Sequence, residues 1–155
     1  MNIEIREAVE ADFPAIHELM LEVHRLHLES RPDVYRDIDP LTEEYYRTML
    51  SDSTVLLAMD GDHAAGFCVV QIRPSYSNPL LISRKIAFME DLCVHSDYRR
   101  KGIGKQLFEV SCRMAKEDGA ETLELMVWSF NENAVRFYEE LGMKAKNVTM
   151  ELKLR

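Results

Sequence analysis

The sequence has little cysteine and no long apolar run. It holds three cysteines in 155 residues, Cys68, Cys93 and Cys112, with no C-x-x-C pair, and all three lie among apolar residues. An odd number of scattered cysteines favours buried thiols in a reducing compartment over a disulfide framework. No apolar run reaches the length of a membrane span, and residues 1–6 lack the apolar core of a secretion signal. We therefore expect a cytoplasmic protein.

The sequence also lacks an excess of positive charge. Its 19 Lys and Arg residues are outnumbered by 27 Asp and Glu, and the formal net charge is −8. Nucleic acids and anionic membranes bind basic surfaces, so neither is expected as the main partner. An acidic surface would favour a cationic substrate, although many soluble proteins are acidic for solubility alone.

Repeats, low-complexity tracts and linkers are absent as well, which predicts one domain over residues 1–155 with a full core. Apolar periodicity predicts the element order β-α-α-β-β-β-α-β-α-β. Successive hairpins followed by strand–helix–strand units imply an α/β fold, with a mixed sheet and helices on its faces. The predicted strands are 3–6, 54–59, 65–73, 86–94, 122–128 and 148–154, and the predicted helices are 11–29, 42–50, 102–118 and one capped by Asn131 or Asn133.

The most informative stretch is 89–105, which reads as a strand, a basic loop and the start of a helix. Gly102 and Gly104 expose backbone N–H groups at the positive end of that helix, an arrangement that suits an anion. It is not a P-loop, because Gln106 follows Gly104-Lys105. It is not a dinucleotide fingerprint either, because Leu107 occupies the third small-residue position. What remains is R-x-x-G-x-G over residues 99–104.

This pattern resembles the GNAT N-acetyltransferase superfamily, whose signature is [QR]-x-x-G-x-[GA] between the fourth strand and the following helix. The match extends to the acidic strand 90–94, the strand 122–128, and Asn131, Tyr138 and Gly142 at the family's spacing. Within the superfamily, the motifs between residues 90 and 138, which cover the half that would bind the cofactor, are closest to the spermidine/spermine and thialysine acetyltransferases. The other half of the chain, which would choose the acceptor, is not distinctive.

The resemblance implies a GNAT-like domain with helices on both faces of a mixed, mostly antiparallel sheet. It also implies acetyl-CoA as co-substrate, no metal, and direct acetyl transfer to a primary amine of a small molecule or peptide. A homodimer is usual for the resembling family. The alternative is a non-catalytic module of the same fold that binds acyl-CoA or regulates a partner.

Acetyl-CoA would bind along the loop and the preceding strand. Backbone N–H groups from Arg99 to Gly104 would hold the pyrophosphate, the basic side chains would add charge, and the strand backbone would contact the pantetheine arm. A solvated basic loop, and an Asn131 that only caps its helix, are the alternatives. The expected cofactor contacts are Leu92, Cys93, Val94, Arg99, Arg100, Lys101, Gly102, Ile103, Gly104, Lys105, Asn131 and Ala134.

Transfer to an amine requires the neutral nucleophile, which at pH 7 is about 4.6 kcal/mol less stable than an ammonium of pKa ~10.4. Glu90, a carboxylate within an apolar strand, is the leading base, unless it is only a surface or paired residue. Asp91 is predicted on the opposite face and is the weaker choice. Tyr138 matches the family's general acid for the departing thiolate, and its alternative role is a core aromatic.

Three histidines on the first helix, His17, His24 and His27, do not form a metal motif and are expected on the surface or packed. In the resembling family the first helices flank the acceptor groove. The side chains suggested as acceptor contacts are therefore His27, Arg31, Tyr35, Tyr45 and Tyr76, each with a structural alternative.

Overall fold

A five-stranded sheet forms the centre of the computed structural model, which describes residues 1–155. The strands follow the order β1-β2-β3-β4-β5, and every neighbouring pair is antiparallel except β4 and β5, which are parallel. The predicted mixed, mostly antiparallel sheet is confirmed. The elements are β1 Ile3–Glu7, α1 Phe13–Ser30, α2 Glu43–Asp52, β2 Thr54–Asp60, β3 His63–Pro74, β4 Lys85–Val94, α3 Ile103–Glu117, β5 Thr122–Leu125 and α4 Glu132–Glu140.

Helices cover both faces of the sheet, as predicted. On one face α1 and α2 bury Ile16, Leu19 and Tyr46 against β2, β3 and the end of β4. On the other face α3 buries Ile103, Leu107 and Phe108, and α4 packs against the same cluster. Removal of this apolar surface from water is the main stabilising term of the fold.

A β-bulge interrupts the pairing of β3 with β4. Val70 lies opposite Met89 and Val69 lies opposite Asp91, so Glu90 has no partner across the pair. A bulge shifts the alternation of a strand by one residue. Predicted alternation along 86–94 therefore fails at this point: the odd-numbered Met89 and the even-numbered Leu92 pack on the same α3 face.

Pairing between β4 and β5 ends at Met89 and Leu125, although β4 continues to Val94. The bulge follows Met89 directly, and beyond it the two strands separate. Strand β5 is therefore shorter than the predicted 122–128, because its later residues no longer have a neighbour on the β4 side. The gap that opens beyond Met89 is termed the β4–β5 cleft.

The predicted last strand, 148–154, is wrong for the single chain. Residues 144–155, termed the C-terminal segment, form no helix or strand and make no backbone–backbone hydrogen bond. Its alternating apolar side chains, Val148, Met150, Leu152 and Leu154, are exposed. Alternation produces a strand only where a neighbouring edge supplies hydrogen bonds, and within this chain the segment makes none with any strand.

The three cysteines are free thiols. Burial raises the pKa of Cys68 to about 11 and that of Cys93 to about 12, so both stay protonated at neutral pH. Cys112 is only partly buried. None of the helices combines the length and the apolar character that crossing a membrane requires.

Candidate active site

The loop between β4 and α3 presents a row of unpaired backbone donors. The N–H of Arg99 donates to Ser96 O and that of Gln106 donates to Gly102 O, but the six N–H groups from 100 to 105 have no protein acceptor. Arg100 and Gly102 both adopt left-handed backbone, with φ of 61° and 79°. Left-handed residues beside a helix N-terminus turn successive N–H groups toward one point, which makes an anion-binding concavity.

Gly104 is required by packing as much as by the loop. A Cβ at this position would lie 3.3 Å from Phe137 Cζ and 3.5 Å from Val94 Cγ2. The glycine thus lets α4 approach the first turn of α3, while the buried Ile103 anchors that turn to the sheet. The sequence pattern predicts a role for Gly104 in anion binding and gives no sign of its contact with α4.

Arg99 holds the loop in place. Its Nη2 forms an ion pair with Glu22 Oε2 at 3.1 Å, and its Nε donates to Val94 O at 3.3 Å. The other Glu22 oxygen accepts from Ser96 N at 3.3 Å. Glu22 is a site residue that sequence reasoning missed, and no local pattern around it could have shown that α1 reaches the loop.

Three further cations border the unpaired N–H groups. Arg100 is exposed, Lys101 lies over the Tyr98 ring with Nζ 5.3 Å from its centroid, and Lys105 pairs with Glu109 at 3.8 Å. These contacts are weak and exposed, so all three side chains can turn toward an anion. The fit of the loop to a pyrophosphate therefore depends on both backbone donors and mobile positive charge.

The strand residues predicted to contact the cofactor lie on the wall of the β4–β5 cleft. Leu92 and Val94 pack toward α3, whereas Cys93 is buried toward α1, with its Sγ donating to Leu19 O at 3.5 Å. Of the three side chains only that of Cys93 is buried, and all three residues can offer their backbone to a ligand. Beyond Met89 the β5-facing edge of β4 has no strand partner, so its peptide groups can bind an extended chain.

Two carboxylates occupy the bulge at the mouth of this cleft. Glu90 is exposed, while Asp91 is half-buried and lies opposite Val69, on the face of α1 and α2. Burial, and then the charge of Glu90, raises the pKa of Asp91 to about 6. The raised pKa thus belongs to Asp91, which the sequence favours less than Glu90 as the base.

Tyr138, on α4, lies between Phe108 and Phe137, with ring centroids 6.4 and 5.2 Å away. Burial, and then the nearby Cys68 and Asp91, raises the pKa of Tyr138 to about 12. No fully buried side-chain oxygen in the chain lacks a partner, and the Tyr138 hydroxyl makes no hydrogen bond within the protein, so solvent reaches it. Tyr138 is therefore both a packed aromatic and a free hydroxyl donor.

Asn131 caps α4, because its Oδ1 accepts from Ala134 N at 3.3 Å. The capping prediction is confirmed, and Asn133 is not the cap. The amide nitrogen of Asn131 keeps both donors free, which leaves the second predicted role, a contact to pantetheine, sterically open.

Some of the suggested acceptor contacts meet in an aromatic cluster. His27 stacks on Tyr35 with ring centroids 4.9 Å apart, Trp128 Nε1 donates to Tyr35 Oη at 2.7 Å, and Arg31 lies over the Trp128 ring at 5.0 Å. Burial, and then His24, lowers the pKa of His27, which favours the neutral ring. Trp128 was missed by sequence reasoning because it was assigned to the strand.

The remaining suggestions lie elsewhere. Tyr45 is exposed on α2, and Lys146 Nζ lies 4.8 Å from the centroid of the Tyr76 ring, beside the C-terminal segment. His17 pairs with Asp39 at 2.8 Å and His24 Nε2 lies 2.7 Å from Arg36 O. No three His, Cys, Asp or Glu side chains lie close enough to hold a metal ion.

Comparison with known proteins supports the family that the sequence motifs resemble. The model of the acetyltransferase (GNAT) family matches residues 14–143. L-ornithine N5-acetyltransferase of Arabidopsis thaliana is 28% identical over 92% of this chain, and thialysine N-epsilon-acetyltransferase of Bos taurus is 30% identical over 50% of it. The chain covers 57% and 45% of the length of these two relatives.

Solved structures agree with the fold. A mutant of protein BH1408 from Bacillus halodurans has a TM-score of 0.93 at 31% identity, and the match covers 98% of this chain and 99% of that one. An aminoglycoside N-acetyltransferase in complex with CoA has a TM-score of 0.79 at 19% identity, over 99% of this chain and 95% of that one, and shares the fold. The chain belongs to the GNAT acetyltransferase family.

Proposed function

We propose that this chain is an acetyl-CoA-dependent N-acetyltransferase that transfers the acetyl group directly to a primary amine. The observation that carries the proposal is the row of six unpaired N–H groups at one end of the β4–β5 cleft. A diphosphate placed there satisfies the donors, and an extended arm can then follow the open edge of β4. The family membership supports the same assignment.

The residues expected to hold acetyl-CoA form two groups, one for the pyrophosphate and one for the pantetheine arm. Backbone N–H groups of residues 100–105 would bind the pyrophosphate, with Arg100, Lys101 and Lys105 adding charge. The backbone of residues 92–94, and the Asn131 amide, would hold the pantetheine arm. Acetyl-CoA would supply an acetyl group already activated as a thioester.

Asp91, with Glu90 beside it, is proposed to accept the proton of the attacking ammonium, directly or through water. A base with a pKa of about 6 is ionised at pH 7 and lies closer to the ammonium in pKa than an ordinary carboxylate does. Glu90, exposed at the bulge, is suited to attract the ammonium before transfer. The pair therefore divides the two roles that sequence reasoning gave to Glu90 alone.

Tyr138 is proposed to donate a hydrogen bond to the departing sulfur. Its pKa of about 12 keeps the phenol protonated throughout the physiological range. Full proton transfer to a thiolate of ordinary pKa ~8.5 would be uphill by about 5 kcal/mol. The hydroxyl is thus best suited to act as a hydrogen-bond donor that stabilises the negative charge developing on the sulfur.

A terminal primary amine on an aliphatic chain, in a small molecule or peptide, is the proposed acceptor. The two relatives described above are named for acetylation of ornithine N5 and of thialysine N-epsilon. The carboxylates at the cleft and the net charge of −8 favour a cation. We further propose that residues 1–155 act as one domain, as a homodimer, in the cytoplasm, without nucleic acid or membrane partners and without a metal.

The test is a thiol-release assay with acetyl-CoA against ornithine, thialysine, polyamines, aminoglycosides and N-terminal peptides. We expect CoA release only when an amine is present, with a monoacetylated product by mass spectrometry. If calorimetry shows tight CoA binding and no amine in the panel is acetylated, the proposal fails in favour of the non-catalytic acyl-CoA-binding module.

A further inference from the structure

The sheet face that carries α1 and α2 has an accessible strip beside its core. On β3 the core of this face ends at Val69, and the next side chains, Gln71 and its β4 partner Phe88, belong to neither core cluster. Both are half-buried, and Arg73, the following residue of this face on β3, is exposed. Gln71, Arg73 and Phe88 are termed the β3–β4 platform.

The β-bulge brings Asp91 next to this platform. In regular alternation the next side chain after Phe88 on the same face would be that of Glu90. The bulge leaves Glu90 without a partner and places Asp91 opposite Val69. Because Val69 and Gln71 are successive residues of one face of β3, the row that holds Asp91 lies about 7 Å from the row of Gln71 and Phe88. The carboxyl group and the platform are therefore direct neighbours on the sheet.

Arg73 carries a positive charge that no carboxylate of the chain neutralises. Its guanidinium lies over the Phe88 ring, 3.9 Å from the centroid, and it forms no ion pair. Glu124, which lies opposite Phe88 on β5, has its two carboxylate oxygens 3.0 and 3.1 Å from Lys146 Nζ. Stacking on a ring orients the guanidinium and leaves its N–H edge free for a planar anion.

Gln71 adds a second free donor between the two opposite charges. Its amide makes no hydrogen bond within the protein, and solvent reaches it. On β3 it lies between the row of Asp91 and the row of Arg73. Asp91 has no ion-pair partner either. The face thus presents an unpaired carboxylate, an amide and an unpaired guanidinium in sequence, which suits a ligand with an ammonium at one end and a carboxylate at the other.

We propose that the acceptor is a basic α-amino acid, whose side-chain ammonium lies at Asp91 and whose carboxylate binds Arg73 and the Gln71 amide. The inference rests on the proposed acetyltransferase function and narrows its acceptor. In ornithine and lysine, five or six single bonds of ~1.5 Å join the side-chain nitrogen to the carboxyl carbon and span ~6–8 Å. This length matches the distance from the row of Asp91 to the ring that carries the guanidinium. A polyamine would instead place a second ammonium beside Arg73, which repels it.

The group transfer itself is unchanged by this assignment. The side-chain nitrogen bonds to the thioester carbon, and the electron pair of the broken C–S bond leaves with the sulfur. The ammonium gives one proton to Asp91, and a second proton, lost as the amide forms, ends on the CoA thiol. The α-amino group and the carboxylate of the acceptor are not modified.

Two pairs of amines isolate the contribution of the acceptor's carboxylate. Putrescine and cadaverine are ornithine and lysine without that group, and they keep both amines. In the thiol-release assay we expect the wild type to show a higher kcat/KM for each amino acid than for its diamine. Fragmentation of the product by mass spectrometry should place the acetyl group on the side-chain nitrogen.

Arg73→Gln removes the charge from an exposed side chain that has no hydrogen bond to lose. We expect the ratio of kcat/KM for ornithine to that for putrescine to fall by about 10- to 100-fold, mainly through KM for ornithine, because a charge-assisted hydrogen bond is lost. Arg73→Lys keeps the charge without the planar fork, so its ratio should be intermediate. Arg84→Gln is the matched control, because it removes the same charge from the same hairpin, one residue before β4 and farther from Asp91.

The outcomes separate this inference from the proposed function. A wild type that prefers putrescine to ornithine overturns the inference, and so does an Arg73→Gln protein with the wild-type ratio. An equal loss in Arg84→Gln also overturns it, because the ratio then reports overall charge rather than a contact at Arg73. In these three cases amines are still acetylated and the acetyltransferase proposal stands. If no amine releases CoA, the acetyltransferase proposal itself fails, and the inference fails with it.

Discussion

The surroundings of Asp91 disfavour the ionised form of its carboxyl group. Its pKa, raised from 3.8 to about 6, means that ionisation destabilises the folded chain. Two pKa units correspond to about 3 kcal/mol, an effect that is absent below pH 4 and complete only once the pH has risen through about 6. Buried ionisable groups without an ion-pair partner are typical of catalytic sites.

We predict that Asp91→Asn raises the free energy of unfolding at pH 8 by up to about 3 kcal/mol and leaves it nearly unchanged at pH 4. The same variant should lower kcat by about 10²-fold, because the general base is lost. Urea denaturation at the two pH values and amine acetylation measure the two effects. A variant with normal turnover would remove Asp91 from the mechanism.

Glu90→Gln is the companion variant, one residue away on the bulge. If Glu90 attracts the ammonium and Asp91 takes the proton, this change should raise KM for the amine several-fold while kcat falls little. It should also lower the apparent pKa of Asp91, since a neighbouring negative charge is removed. A loss of kcat by about 10²-fold, with KM unchanged, would return the base assignment to Glu90.

Tyr138→Phe keeps the aromatic packing and removes only the hydroxyl. We expect kcat to fall by about 10²-fold, with little change in thermal stability, because the hydroxyl has no hydrogen bond to lose. Steady-state kinetics and a melting curve measure both. If kcat is unchanged, Tyr138 is a core aromatic only. The sequence predicted this residue by family spacing, but the local pattern could not show that its hydroxyl is free.

The loop between β4 and α3 is where sequence prediction was most informative at the scale of elements. Strand, glycine loop and helix follow one another in the chain, so local pattern defines them, and Gly102 with φ of 79° marks the turn directly. The bulge at Glu90 and the ion pair between Arg99 and Glu22 could not be predicted from local pattern. Both depend on contacts between residues that are distant in sequence.

Gly102→Ala and Gly104→Ala should separate the two functions of the loop. At Gly102 no atom lies near an added Cβ, so the cost is left-handed strain of about 1 kcal/mol and a several-fold weaker affinity for CoA. At Gly104 the methyl meets Phe137, so displacement of α4 should reduce kcat as well. Calorimetry with CoA and steady-state kinetics test this, and equal effects of both variants would contradict it.

Across the whole molecule, the order of the elements up to α4 followed from apolar periodicity. The predicted C-terminal strand does not form, because residues 144–155 make no backbone hydrogen bond in the chain. Periodicity identifies an apolar face, and it cannot say what that face packs against. The same limit explains why the aromatic cluster around Tyr35, assembled from α1, the stretch after it and the stretch after β5, was predicted only in part.

The net charge of the whole molecule also leads to a prediction. With a formal charge of −8, the molecule should attract a cationic amine over several ångströms, and salt shortens that range to about 8 Å at physiological ionic strength. We expect kcat/KM for a diamine to fall several-fold between 20 and 300 mM NaCl, while that for an uncharged amine analogue at high pH changes less. Equal salt dependence would show that the overall field plays no part in recognition.

The contact of Gly104 with Phe137 has a thermodynamic consequence. Helix α4 has nine residues, too few to be stable without tertiary contacts, and one of these contacts is the turn that carries the unpaired N–H groups. A diphosphate that orders this turn would also order α4, and with it the neighbouring Tyr138. By linkage, the factor by which the donor favours the ordered form of α4 equals the factor by which ordered α4 raises the affinity for the donor. A change that loosens α4 should therefore weaken donor binding. Donor occupancy would then fix the position of the Tyr138 hydroxyl beside the thioester.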